Sequence, residues 1–365
     1  MPESRFNPWL HRFAVLTALA TLALLGVGGL VTSHGVGMAV PDWPNTYGYN
    51  MFLFPPSKWV GGIFYEHTHR LVASGVGLLT AILAGWLWLA ESRRWLRWLG
   101  VIAFCAVVLQ GVLGGLRVVL FKDQIGIFHA ALAQLFFALI CALALLTSRW
   151  WLEPRLGGQR DANEGRERDG SEIGASLRRL FLATTTLIFL QLILGATMRH
   201  QHAGLAIPDF PLAYGKLWPA MDAEAVAAYN SQRLEVTTAN PITATQIALQ
   251  MAHRLVAVVI LVCAGALAWR VNRTHRHAAF PLRRLTFLWF GLILFQAGLG
   301  AWTIWSQKAA DVATAHVLVG ALSLVTGVFG CIICFRHPEE NASDKVASTF
   351  EVARRQARFS AIVNQ

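Results

Sequence analysis

The sequence predicts an all-α integral membrane protein: eight transmembrane helices forming two tandem four-helix bundles related by a pseudo-two-fold axis, with both termini cytoplasmic. Three observations carry this. Of the 365 residues 55% are hydrophobic and only 14% charged, with a mean hydropathy of +0.48, and a soluble domain so composed would leave large apolar patches in water. Eight apolar runs have the length of about 20 residues that crosses a hydrocarbon core. Motifs in the first four runs recur, in the same order, in the last four.

Met1 to Arg12 is short and polar, and an apolar run follows from Phe13 to about Val31. That run is too long for a signal-peptide core and lacks a clear small-residue cleavage site, so a retained first helix is expected. The chain carries no long Arg- and Ser-rich presequence, which points to a bacterial protein as encoded. The spans are expected at about 13–32, 68–90, 98–120, 127–148, 180–200, 248–269, 285–305 and 313–335. Between the fourth and fifth, Trp150 to Arg179 contains GGQRDANEGRERDGSE, whose charge and glycine content read as a flexible linker. The expected division is a first four-helix unit over 1–149, a linker over 150–179, a second unit over 180–336 and a polar tail over 337–365.

The net charge of +11 does not point to nucleic acid, because most of the 31 Lys and Arg residues lie in short segments between apolar runs. They crowd the N-terminus, the segments near 91–97, 149–179 and 270–284, and the tail, and are sparse near 33–66, 121–126, 201–247 and 306–312. The positive-inside rule places the first set and both termini in the cytoplasm and the two long sparse loops outside. The five cysteines, Cys105, Cys141, Cys263, Cys331 and Cys334, all fall in expected spans, so no loop disulfide framework is available.

The two units echo each other. Val40-Pro41-Asp42-Trp43-Pro44 through Tyr47-Gly48 returns as Ile207-Pro208-Asp209-Phe210-Pro211 through Tyr214-Gly215. His69-Arg70-Leu71-Val72-Ala73, Gln110-Gly111-Val112-Leu113-Gly114 and His129 return roughly 185 residues later as His253-Arg254-Leu255-Val256-Ala257, Gln296-Ala297-Gly298-Leu299-Gly300 and His316. An even number of spans per unit gives both units one orientation.

Each unit thus has a histidine at the outer start of its second helix and another at the outer start of its fourth. His69 and His129 are expected at one depth, and so are His253 and His316. Two imidazoles at one level in a four-helix bundle can act as axial ligands of a single haem iron. A non-haem metal would want carboxylates or thiolates nearby, and only Glu66 offers one. Glycines of the third helices, Gly111, Gly114, Gly115, Gly298 and Gly300, admit either a flat macrocycle or a close helix. Arg70 and Arg254 either pair with haem propionates or snorkel to headgroups. Asp42 and Asp209 are expected to lock Pro-flanked turns. The units differ where Glu66, three residues before His69, is replaced by Gln250 before His253. A carboxyl with a raised pKa beside an iron can relay protons, which suggests chemistry in the N-terminal half only. His67, His200 and His202 have no assigned role.

Glu66-x-x-His69-Arg70, the two Pro-Asp-x-Pro loops, His253-Arg254, His129 and His316 on eight spans resemble the haem A synthase family, over about residues 13–335. The resemblance implies a membrane oxidoreductase of the bacterial inner membrane that converts the C8 methyl of haem O, through an alcohol, to the formyl group of haem A for cytochrome c oxidase. It implies a resident haem b, bis-histidine ligated by His253 and His316, and a substrate haem held by His69 and His129, with Glu66 needed for activity and both sites toward the periplasm. The chain is closer to the proteobacterial and mitochondrial type, since it has no loop cysteine pair. Expected partners are haem O, a haem O synthase, an unidentified electron donor and membrane lipid, with no nucleic acid; the oligomeric state stays open, a homo-oligomer included. The alternative is a di-haem membrane cytochrome b acting only in electron transfer. A transporter would rest on Gln110 and Gln296 alone.

Overall fold

A computed structural model describes residues 6–152, 175–233, 241–274 and 280–336. Most of the expected linker over 150–179 and the tail over 337–365 lie outside the described residues. The helices are α1 (Pro8–Ser33), α2 (Gly61–Ala90), α3 (Arg94–Val119), α4 (Asp123–Leu146), a one-turn α5 (Arg149–Leu152), α6 (Ala175–His200), α7 (Ala223–Ser231), α8 (Ala244–Thr274), α9 (Phe280–Trp305) and α10 (Ala310–Arg336). All but α5 and α7 are long and apolar enough to cross a membrane, which makes the eight expected spans real helices.

Local chemistry sets the helix ends. Asn7 caps α1 by accepting the N–H groups of Trp9 and Leu10, with Pro8 in the first turn where its missing N–H costs nothing. The apolar stretches carry many Thr residues, and most of their hydroxyls are satisfied within the helix. Thr21, Thr80, Thr185 and Thr286 each donate to the carbonyl four residues back. In hydrocarbon an unpaired hydroxyl would be costly.

α1 to α4 close on one another, α1 packing on α2 and α4 and α3 on α2 and α4; α6, α8, α9 and α10 do the same. The two sets meet along α1, α4, α6 and α10. Phe137, Ala138 and Cys141 of α4 are buried in one apolar cluster with Phe181, Trp289, Leu324 and Cys334. A small residue brings the backbones together there: a Cβ on Gly29 of α1 would lie 2.8 Å from the Thr314 methyl of α10. The five cysteines are free and lie in α3, α4, α8 and α10.

All eight membrane-length helices start three to seven residues earlier than hydropathy suggests, α2 by the most. α2 begins at Gly61 rather than near 68, and α8 at Ala244 rather than near 248. The cluster Glu66–Arg70 is therefore inside α2, not at its mouth. The helix continues beyond the apolar run because the loop from His34 to Val60 folds over it and supplies partners for its polar side chains.

Candidate functional site

The four histidines are each seated on a glycine of a neighbouring helix. A Cβ on Gly28 (α1) would come within 3.0 Å of the His69 ring, and one on Gly114 (α3) within 3.4 Å of His129. In the other half, a Cβ on Gly195 (α6) would come within 3.4 Å of His253, and one on Gly300 (α9) within 3.2 Å of His316. An added Cβ would crowd the His69 and His316 rings, whereas at Gly114 and Gly195 it would stand in ordinary van der Waals contact. Gln110 Nε2 donates to the His129 carbonyl at 3.0 Å, and Gln296 Nε2 to the His316 carbonyl at 2.8 Å, fixing the third helix of each set to the fourth at the histidine. Gln191 does the same for the His253 carbonyl at 2.9 Å. Gln110 and Gln296, the candidates for a transport path, thus spend their N–H groups on helix backbone.

His253 and His316 have ring centroids 6.5 Å apart, inclined at 62°. Two imidazoles bound to one ion at about 2 Å per nitrogen need about this separation. His69 and His129 lie within each other's electrostatic reach. The ring Nδ1 atoms of all four are buried without a hydrogen-bond partner, an unusual state for buried polar atoms and one a ligand relieves. Among the described residues no group of three His, Cys, Asp or Glu side chains comes together. An ion held by either pair therefore needs its remaining donors from a ligand such as a macrocycle, and the residues present fit that requirement.

Over each pair lies a loop built to the same plan. In the first, Asp42 accepts the N–H groups of Tyr47 at 2.7 Å and Gly48 at 2.8 Å, and Asp209 accepts those of Tyr214 at 2.7 Å and Gly215 at 2.9 Å. These are the expected turn locks. Tyr47 and Tyr214 sit in the left-handed region at φ 49° and 53°, followed by Gly48 and Gly215 at 79° and 73°. Burial alone would raise the Asp42 carboxyl, but the Gly48 and Tyr47 N–H groups and the Arg70 charge hold it below the usual aspartate value. Burial beside Tyr229, whose ring stacks on it at 3.6 Å, pushes the Tyr214 phenol up to about 12.

The arginines hold these loops down. Arg70 donates to the carbonyls of Asp42 at 2.7 Å, Asn45 at 2.9 Å and Val40 at 2.8 Å, and to Glu66 Oε1 at 2.8 Å. Arg254 donates to the carbonyls of Leu212 at 2.8 Å and Asp209 at 2.7 Å, with its guanidinium over the Phe210 ring. Glu66 is 3% exposed and has both oxygens engaged, Oε2 accepting the Val40 N–H at 2.8 Å. Gln250, 2% exposed, accepts the Ile207 N–H at 2.7 Å through Oε1. His67 is fully buried beneath the first loop, against Phe54 and Trp59 and within 3.2 Å of the Thr46 hydroxyl, where Met251 fills the second loop's core. The Trp43 ring lies on Gly115, whose Cβ would be 2.3 Å from it, so the loop reaches α3 one residue past the His129 seat.

The structure brings the sequence-predicted residues into two groups, one per half, and adds others. Gly28 and Gly195 were not singled out as histidine seats, although both precede the Pro-Asp loops by the same distance. His202 adopts the left-handed conformation at φ 54° where Gly35 has φ 70°, which accounts for that histidine as a turn residue.

Eight membrane-length helices, with two histidines whose Nδ1 atoms are buried in each half, define a polytopic membrane protein. The chain belongs to the COX15-CtaA family of cytochrome oxidase assembly proteins, whose model matches residues 11–328. It is similar to the heme A synthase of Geobacillus kaustophilus (strain HTA426), 27% identical over 345 residues that cover 92% of this chain and 94% of that protein. It is 30% identical to the heme A synthase of Shouchella clausii (strain KSM-K16) over 220 residues, 60% of this chain and 68% of that one. The heme A synthase of Lysinibacillus sphaericus (strain C3-41) is 23% identical over 352 residues, covering 95% of this chain and all of its own length.

Proposed function

We propose that this protein is a haem A synthase of the bacterial inner membrane, oxidising the C8 methyl of haem O to the formyl group of haem A. The observation that carries the reading is the pair of glycine-seated imidazoles in each half, one pair 6.5 Å apart, in a chain whose relatives bear that name. His253 and His316 would hold haem b, which when bound supplies one-electron redox chemistry to the neighbouring site. His69 and His129 orient haem O from α2 and α4, so that α1 to α4 form the substrate half and α6 to α10 the haem b half. Positive-inside placement puts both pairs toward the periplasm. Haem O synthase would supply the substrate, and an electron donor would complete the cycle.

Glu66 is assigned to proton handling. It lies one turn from His69 on α2, and the position has an amide, Gln250, in the other half. It is buried and pairs with Arg70 at 2.8 Å. The outer loop, pinned by Arg70 and by Trp43 on Gly115, excludes water from the outer side of His69 and His129. A purely electron-transferring di-haem cytochrome gives no reason for Glu66 to differ from Gln250.

Haem extraction after co-expression with a haem O synthase tests the reading. Haem b with haem A is expected from the wild type, haem A is lost in His69→Ala, and haem b is lost in His253→Ala. Two equal complements of haem b with no haem A would replace the enzyme with the cytochrome.

A further inference from the structure

The N-terminal half has a second asymmetry at its outer edge. Arg117, in the last turn of α3, donates Nη2 to Asp123 Oδ1 at 3.3 Å, at the first turn of α4. Its Nε is buried with no partner. His200, the last residue of α6 and so from the other half, lays its ring on Gly126 of α4, where a Cβ would be 2.4 Å from it. Gly126 is midway between Asp123 and His129, and six helical residues span about 9 Å. Arg117 is within electrostatic reach of His69, His129 and His200.

The other half is built differently at this edge, where Arg199 of α6 lies within electrostatic reach of His316 but is turned onto the Gly29 carbonyl and the Ser33 hydroxyl. By the same repeat, Thr303 stands for Arg117, Ala310 for Asp123 and Ser33 for His200. The Thr303 hydroxyl is spent on the Leu299 carbonyl, and the Ser33 hydroxyl meets Thr314 at 3.2 Å. A buried guanidinium N–H without an acceptor is costly, and such a group is kept where a ligand completes it. Arg70 and Arg254, the arginines next to the histidines, have their terminal N–H groups on loop carbonyls; Arg254 Nε is also buried without a partner, but its guanidinium is held over the Phe210 ring.

We propose that Arg117, with His200 beside it, is the carboxylate subsite of the N-terminal pocket and takes a propionate of the substrate porphyrin. The proposal rests on the haem A synthase reading. Guanidinium matches carboxylate in charge and in donor geometry, and the distance along α4 from His129 to this cluster is that from a porphyrin's centre to its propionates. The subsite spans the seam, so the second half contributes a side chain to the first half's site.

The test titrates purified protein, its C-terminal site loaded, with haem O and separately with haem O dimethyl ester, following Soret absorbance. The variants Arg117→Thr and His200→Ser copy the residues of the opposite half, which fold there. In the wild type the free acid is expected to bind about tenfold more tightly than the ester, the scale of one charged hydrogen bond. Arg117→Thr should remove that preference by weakening the acid alone, and His200→Ser should reduce it. Equal binding of acid and ester in the wild type, or equal weakening of both by Arg117→Thr, overturns the subsite. His69→Ala separates the two levels: if it leaves haem O binding intact, the pocket assignment itself fails, whatever the ester shows.

Discussion

Glu66 and Gln250 do the same mechanical work: each accepts the backbone N–H of the residue before Pro-Asp, Val40 at 2.8 Å and Ile207 at 2.7 Å. The difference is that Glu66 adds a charge, matched by Arg70. Glu66→Gln should therefore keep the loop in place, as Gln250 does, while removing the proton acceptor. The expected result is normal yield and haem b content with haem A formation reduced by about two orders of magnitude or more. Full conversion by Glu66→Gln, with loss in Glu66→Ala, would reassign Glu66 to holding the loop.

Arg70 and Arg254 are equivalent in sequence but unequal in burial and partners. Arg70 is 9% exposed and bonds three carbonyls and a buried carboxylate; Arg254 is half-buried and bonds two carbonyls. Removing Arg70 strands Glu66 as an unpaired buried charge, which costs about 3–5 kcal/mol. Arg70→Ala should lower the thermal midpoint in detergent more than Arg254→Ala. Pairing it with Glu66→Gln should recover part of the loss. If Arg254→Ala is the more damaging, the ion pair is not what anchors the first loop.

Hydropathy located all eight spans, and repetition found the histidines, because both signals live in residue type and spacing. The arginines were legible only as positions. Successive helical residues point about 100° apart, so Arg70 cannot share the His69 face; Glu66 falls between the two, and the loop claims Arg70. Hydropathy also started α2 too late, since it scores Glu66, His67 and Arg70 as polar without knowing that a loop buries them. The cluster of Arg117, Asp123 and His200 was not legible at all: it joins three helices, one from the other half.

The glycine seats give a contrast within one helix. On α9 a Cβ at Gly300 would lie 3.2 Å from the His316 ring, whereas one at Gly298 would meet nothing within 4 Å. Both substitutions to Ala raise helix propensity by about 1 kcal/mol, so neither should unfold the protein. Gly300→Ala is expected to shift the His316 ring and lower retained haem b, read as the Soret-to-280 nm ratio after purification. Gly298→Ala should leave that ratio at the wild-type value. Equal ratios for the two variants would remove the seat from the account of haem binding.

Asp42 makes the loop between α1 and α2 sensitive to acid. Its folded-state pKa lies below the usual aspartate value, because the Gly48 and Tyr47 N–H groups favour the carboxylate. A depressed pKa contributes stability that is complete above the unfolded value of about 4 and is lost as pH falls through the folded value. Amide exchange at Tyr47 and Gly48, corrected for intrinsic rate, should stay protected at neutral pH and open only below that range. Asp42→Asn keeps one acceptor oxygen in place of two and cannot titrate. It should show weaker protection at neutral pH and no further loss in acid. An acid transition that persists in Asp42→Asn would have to come from another group in the loop.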